Sequence, residues 1–210
     1  MFYNKIIKNK ELIILKSNKS ILFIISGCTS TSKDTTLNEL SNRGVIKTLL
    51  STTTRPIRVT EKQGREYNFI TEEEFNKKDF IEKRLYKVAN GDIWYYGLSY
   101  DEIFKCYNNF GNYAVILDVQ GMRTLKEYVN KTFKGSIEVV TIMLQASYYT
   151  RLNRYLNRDK VTDDMVKEAI RRINADMNEI EPFANEYDIV LRSEDDDLER
   201  NIKIIKSLCE

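Results

Sequence analysis

The chain has 210 residues, enough for one α/β domain with a substantial core, and its 33 Lys and Arg against 31 Asp and Glu leave a net charge of only +2. So even a balance points to no nucleic-acid or membrane-surface partner. Histidine is absent, which removes histidine bases, histidine metal ligands and every Ser-His or Cys-His scheme.

Taken in chain order, residues 1–18 carry apolar pairs broken by lysines, too short for a secretory signal, and a short extra strand or hairpin is expected there. Ile21 to Ile25 is a continuous apolar run and reads as a buried strand. It leads into G-C-T-S-T-S-K-D-T-T (Gly27 to Thr36) and then a helix-like segment, Leu37 to Leu40. A buried strand, a loop, and a lysine at a helix start form the context of a phosphate-binding loop. Its backbone N–H groups would wrap phosphates, and Lys33 would reach the β- and γ-oxygens. The loop departs from G-x-x-x-x-G-K-[ST] twice. Ser32 adds a Cβ where the second glycine lets the backbone approach the ligand, and Asp34 replaces the magnesium-binding hydroxyl with a carboxylate that also suits Mg²⁺.

Downstream, S-T-T-T-R-P-I-R-V-T-E-K-Q-G-R-E-Y (Ser51 to Tyr67) sets Arg55 and Arg58 three residues apart, with Tyr67 nine beyond the second. Two guanidinium forks and a phenol suit a second phosphate. A protein that holds two phosphorylated ligands side by side is built to move a phosphoryl group between them. Residues 52–98 are richer in Thr, Tyr, Glu and Lys, and the runs Tyr67 to Ile70 and Phe80 to Tyr86 predict a small, half-exposed sheet. Ala114 to Leu117, Val139 to Leu144 and Ile189 to Leu191 are further buried strands that alternate with helical segments, the pattern of a parallel sheet covered by helices. Residues 147–180 predict two helices around a polar joint, Asn157 to Asp164. Arg154 and Arg158 share one helical face there, and Arg171 and Arg172 lie on the second helix. Leu198, Ile202 and Ile205 mark a closing helix. The three cysteines (Cys28, Cys106, Cys209) are odd in number and widely spaced, so reduced thiols and a cytoplasmic setting are expected. Cys28 reads as a loop filler. No segment reaches the ~20 apolar residues of a membrane span. Oligomeric state is open.

Five blocks follow the phosphate loop: S-T-T-T-R-P-I-R, E-Y-N-F (Glu66 to Phe69), F-I-E (Phe80 to Glu82), Y-Y-G (Tyr95 to Gly97) and L-D-V-Q-G (Leu117 to Gly121). In order and spacing they resemble a guanylate kinase over residues 20–210. The resemblance implies an α/β fold of the P-loop NTPase type, a parallel sheet with flanking helices, a small β-rich acceptor-nucleotide lobe (52–98) and a helical lid (147–176). The core would then comprise 19–51, 99–146 and 177–210, with 1–18 as an extension. It further implies ATP with Mg²⁺ on Gly27, Cys28, Thr29, Ser30, Thr31, Ser32, Lys33, Asp34 and Thr35. GMP would be held by Ser51, Arg55, Arg58, Tyr67, Glu82, Tyr96 and Asp118. Lys33, Arg154, Arg158 and Arg172 would be catalytic, Arg171 being the alternative to Arg172, and Asp34 and Asp118 the candidate magnesium carboxylates. Leu98 departs from the family, which carries Ser or Thr directly after Y-Y-G, so one hydrogen bond to the base is missing unless Ser99 supplies it. Two alternatives stay open: a ribose 1,5-bisphosphate phosphokinase-like enzyme, sharing the K-D-T loop ending, and a catalytically weak peptide-binding domain. The first has no use for Ser51, Glu82 and Asp118 together, and the second none for Lys33.

Overall fold

The computed structural model describes residues 19–59, 61–88, 91–158 and 160–210. The strand or hairpin expected in 1–18 lies outside them.

Strand β1 (Ser20–Gly27) is buried along its whole length. Its pleat sends Leu22 and Ile24 into one apolar cluster and Ile21, Phe23 and Ile25 into another, so the strand is covered on both faces. Helix α1 (Lys33–Asn42) follows the loop and buries Leu37 and Leu40 in the second cluster. Next come the two-residue strands β2 (Lys47–Thr48), β3 (Thr52–Thr53) and β4 (Asn68–Phe69). The short helix α2 (Glu72–Asn76) starts with a full capping box, Thr71 against Glu74. Strands β5 (Phe80–Lys87) and β6 (Ile93–Ser99) form an antiparallel pair.

Helix α3 (Tyr100–Asn108), β7 (Asn112–Ile116), α4 (Val119–Phe133) and β8 (Ile137–Gln145) return the chain to the core. Helices α5 (Tyr148–Leu156) and α6 (Asp163–Glu179) pack as a pair. A 3₁₀ turn (Glu181–Glu186), β9 (Ile189–Arg192) and α7 (Leu198–Ser207) complete the order. The main sheet runs β2-β7-β1-β8-β9, with every pairing parallel. Residues of α3 and α4 cover one face, and residues of α1 and α7 the other. A second sheet, β4-β3-β6-β5, stands beside it, and its β5 packs against α4.

The four apolar runs predicted as buried strands fall in β1, β7, β8 and β9, but β9 lies at the edge of the sheet with Val190 39 % exposed, so it is covered on one face only; the half-exposed runs fall in β4 and β5. One feature of β5 has no sequence signature. A bulge between Phe80 and Glu82 shifts the register, pairing Phe80 with Ser99 and Glu82 with Leu98. The extra residue turns Phe80 and Glu82 to opposite faces. Phe80 stacks on Phe75 of α2, with ring centroids 4.3 Å apart, and a Cβ on Gly97 would lie 2.7 Å from the Phe80 ring. That contact explains the glycine of Y-Y-G. Glu82, Arg84 and Tyr86 share the other face with Tyr96 and Leu98.

Candidate functional site

The loop after β1 opens at the C-terminal edge of the parallel sheet, where α/β folds place their ligands. Gly27 has φ +152°, and a Cβ there would strike the Leu144 carbonyl oxygen. Only glycine fits. Ser30 and Ser32 both adopt left-handed backbone, φ 62° and 60°, inside a loop that curls into the first turn of α1. Left-handed residues in such a turn gather N–H groups into an anion-binding nest. The loop carbonyls are meanwhile claimed by the protein. Lys33 Nζ donates to Gly27 O (2.8 Å) and Cys28 O (2.7 Å), Arg151 Nε to Thr29 O (3.2 Å), Arg154 to Ser30 O (3.4 Å) and Ser193 Oγ to Thr31 O (2.9 Å). Burial holds Lys33 below its ordinary pKa, so an anion that pairs with its charge relieves a real cost. Burial also pushes the Cys28 thiol up to about 12, which keeps it protonated and agrees with a loop filler rather than a nucleophile.

Arginines from the helix pair reach the loop. Arg158 donates to Ser30 Oγ at 3.0 Å, and its guanidinium lies 5.0 Å from the centre of the Tyr155 ring. Arg172 lies 6.0 Å from the same ring. Burial, then the charges of Arg58 and Arg172, keep Arg158 below its ordinary pKa, with Asp34 opposing them. Four cationic side chains therefore meet here: Lys33 from the loop, Arg58 from the segment after β3, Arg158 after α5, and Arg172 from α6. Glu168 holds both arginines of this helix, Arg171 through Nε and Nη2 and Arg172 through Nε at 2.7 Å. Arg154 is also committed, to Asp195, Ser193 O and Ser30 O, so it braces the loop.

The second sheet carries the other group. Arg55 is buried, donates to Glu61 (2.8 Å) and Pro56 O (2.9 Å), and lies over the rings of Tyr67 and Phe69 at 5.6 and 5.5 Å. Tyr67 and Tyr96 meet edge to face at 5.8 Å, and Tyr86 joins Tyr96 at 5.4 Å. Tyr86 donates to Asp118 (2.9 Å), which also takes Arg84 Nε (3.0 Å) and, as the N-cap of α4, the Gly121 amide (2.7 Å). Glu82 is 6 % exposed, and its Oε2 is enclosed with no hydrogen-bond partner. Burial pushes its carboxyl up to about 7, the Asp118 charge adds to this, and Arg84 and the Leu98 backbone pull against it. A Cβ on Gly121 would come within 3.2 Å of Glu82 Oε2, so the glycine keeps that space open. Ser51 is buried and lines a small cleft together with Asp34 and Tyr67. Leu98 lies in the core and offers no donor.

A sequence model of the guanylate kinase family matches residues 19–210. The curated guanylate kinase of Chlamydia trachomatis serovar D is 32 % identical over 195 residues, covering 89 % of this chain and 85 % of that protein. The one from Malacoplasma penetrans is 29 % identical over 184 residues, covering 86 % and 88 %.

The chain belongs to the guanylate kinase family.

The crystal structure of guanylate kinase from Anaplasma phagocytophilum shares the fold, with a TM-score of 0.60 at 20 % identity over 91 % of this chain and 85 % of that one. Three site residues of this family member were not singled out in the sequence. Arg151 and Asp176 tie α5 and α6 to the loop: Asp176 Oδ2 accepts both the Thr29 amide (2.7 Å) and Arg151 Nη2 (2.6 Å). The Thr29 amide, expected among the phosphate ligands, is thereby withdrawn from that set. Glu61 accepts from Arg55 and from the Arg58 amide (2.9 Å). Burial pulls its carboxyl upward, and the two arginines more than offset that, holding it below the usual range. A glutamate six residues beyond Arg55 was the available signal.

The magnesium expectation divides. Asp34 is exposed in the first turn of α1, next to Lys33. Asp118 has its oxygens occupied by a guanidinium, a phenol and an amide, which fits a structural brace and not a cation ligand. Among the described residues no cluster of three or more acidic or cysteine side chains is arranged to hold a metal, and no helix is long and apolar enough to cross a membrane.

Proposed function

We propose that this protein transfers the γ-phosphoryl group of ATP to GMP, giving ADP and GDP. The observation that carries this reading is the meeting of Lys33, Arg58, Arg158 and Arg172, cationic side chains from four separate segments: after burial, the charges of Arg58 and Arg172 help hold Arg158 below its ordinary pKa, and the charge of Arg158 does the same to Lys33. Such a cluster suits polyphosphate, and cations aimed at a transferring phosphoryl group stabilise the charge spread over its oxygens. In this reading the amides from Ser30 to Thr35 and Lys33 bind the donor phosphates. Arg55, Arg58, Tyr67 and Tyr96 orient the acceptor phosphate, while Arg158 and Arg172 span the gap between the two. The acceptor oxygen is already anionic, so no general base is needed.

Glu82 selects the base. Its enclosed, unpaired Oε2 suits a ligand edge with two adjacent donors, as guanine presents at N1 and N2, and adenine has no proton on N1. A buried carboxylate of this kind has no work to do on a sugar bisphosphate, so the ribose 1,5-bisphosphate alternative is not favoured. Magnesium prefers one or two carboxylates plus phosphates and water, and Asp34 alone is suited to face it; the ion would neutralise charge on the donor phosphates. We further read the second sheet, within 52–98, as the acceptor lobe and 147–176 as a lid. Because Arg151, Arg154 and Asp176 anchor both ends of that lid to the core, its moving part is the segment between Tyr155 and Arg172. The unpaired state of all three cysteines supports a cytoplasmic setting.

The test is ADP formation from ATP against a panel of nucleoside monophosphates and ribose 1,5-bisphosphate. GMP should be used far ahead of the others. Equal use of AMP, or turnover only with the sugar bisphosphate, would refute the reading.

A further inference from the structure

Two polar atoms on one face of β5 are enclosed and without partners: Oε2 of Glu82 and Nη2 of Arg84. They sit two residues apart past the bulge, with Glu82 paired to Leu98 and Arg84 to Tyr96, so both side chains stand on the same side of the sheet. A buried donor and a buried acceptor left unmade each cost stability, and native structures rarely keep two side by side without a reason. Arg84 is fixed in place. Its Nε is held on Asp118 (3.0 Å), and Asp118 is itself locked by Tyr86 and the Gly121 amide. The guanidinium therefore presents Nη2 without swinging, while Gly121, at the floor, leaves open the volume that any side chain would fill beside Glu82 and Asp118.

We propose that Arg84 reads the C6 oxygen of the guanine base, making it a specificity-determining residue alongside Glu82. This inference rests on the guanylate kinase reading above. The two orphaned groups form a donor next to an acceptor. The guanine edge offers the complement: the O6 acceptor beside the N1–H and N2–H donors. Adenine carries an amine at C6, so it would set a donor against Nη2 while also leaving Glu82 unpaired. Rejection by two unmet buried groups is stronger than rejection by one. The neighbouring strand supplies no rival, because Leu98, opposite Glu82, is apolar and buried in the core. Ser99 ends β6 as the N-cap of α3 and pairs opposite Phe80, whose ring is on the far side of the sheet. Arg84 takes the role instead.

The experiment compares kcat/KM for GMP and for 6-thioguanosine 5′-monophosphate, which keeps N1–H and N2–H but replaces O6 with sulfur, a weak acceptor. The wild-type protein should prefer GMP by about tenfold or more, the worth of one charge-assisted hydrogen bond. Arg84→Leu should bring the ratio to within about threefold of unity, because both substrates then meet the same apolar wall. A guanidinium that merely braces Asp118 would lower both rates equally and leave the ratio at its wild-type value, which would overturn the inference. Thermal unfolding checks that Arg84→Leu folds. If it does not, Arg84→Gln carries the same comparison, since its amide still satisfies Asp118 but falls short of the base. No turnover of GMP by the wild-type protein would overturn the guanylate kinase reading itself. GMP turnover with an unaltered ratio would overturn only the role given to Arg84.

Discussion

Asp176 and Thr29 are joined by a hydrogen bond of 2.7 Å from amide to carboxylate, across 147 residues of sequence. The same carboxylate oxygen holds Arg151, whose side chain is 2 % exposed. The phosphate loop is thus pinned to the base of the helix pair by a buried ion pair. Such pairs add little when intact, but removing one partner strands a buried charge.

Asp176→Ala should therefore destabilise the protein by about 3–5 kcal/mol, read from chemical denaturation. The affinity for ATP should fall with it, because the loop loses its brace, while GMP affinity changes little in the fraction that remains folded. A loss below about 1 kcal/mol would mean that Arg151 finds full compensation in Glu181.

Ser32 occupies a left-handed position that costs a non-glycine residue about 1–2 kcal/mol. Ser32→Gly removes that strain and adds back some unfolded-state entropy, for a net gain of up to about 1 kcal/mol. The expected result is a raised Tm with ATP affinity equal or better. A lowered Tm would show that the serine side chain contributes more than its backbone strain costs.

Glu82 makes both stability and GMP affinity depend on pH. Burial pushes its folded pKa up to about 7, above the ordinary 4.5 of a glutamate, so the folded protein binds the extra proton between those limits. Stability of the ligand-free protein is then highest at the acid end of this window and falls as pH rises from about 4.5 to about 7, by at most about 1.4 kcal/mol per unit. GMP pairs with the ionised form, so its affinity should rise over the same window, with proton release on binding below about pH 7. Calorimetry in two buffers of different ionisation enthalpy measures that release. Glu82→Gln should abolish the component near pH 7 and leave the one near pH 6 that belongs to the phosphate itself. Identical proton release in both proteins would remove Glu82 from the base site.

Arg171 and Arg172 are adjacent in sequence and differ in place. Arg172→Ala should lower kcat by about a hundredfold or more, as for other cations on a transferring phosphoryl group. Arg171→Ala should stay within about threefold of wild type, since Arg171 is the more exposed of the two and Glu168 keeps its bond to Arg172 when Arg171 is removed. The reverse order would mean that the helix turns its other face to the nucleotides.

Much of this was legible in the residues. Ile21 to Ile25 is apolar on both faces, and Val139 to Leu144 nearly so, because the parallel sheet is covered twice; their shortness and β-branched residues favour strand over buried helix. The phosphate loop and the Arg55–Arg58 pair carry their chemistry in local spacing. What escaped was decided by tertiary contacts. Strands β2, β3 and β4 are two residues long, and their pairing comes from neighbours rather than propensity. Arg151 resembles any charged residue on a solvated helix until α6 closes over it. The bulge at Ile81 exists only in the register with β6, yet it is what turns Glu82 away from Phe80 and toward the base site. The family resemblance offers Asp118 as a magnesium carboxylate, and the sequence around it shows none of the groups that occupy it. Its partners on β5, Arg84 and Tyr86, come from a segment more than thirty positions earlier.

The central claim is direct transfer between two nucleotides held by opposed sets of cations, and one labelling experiment tests it. ATP carrying a radiolabelled γ-phosphate is mixed with the protein, Mg²⁺ and GMP, and the products are separated after a single turnover. The account predicts that nearly all of the label appears in GDP, with none in GDP when Lys33→Ala replaces the wild-type protein. Label recovered as inorganic phosphate, or left in ATP in the presence of GMP, would contradict it.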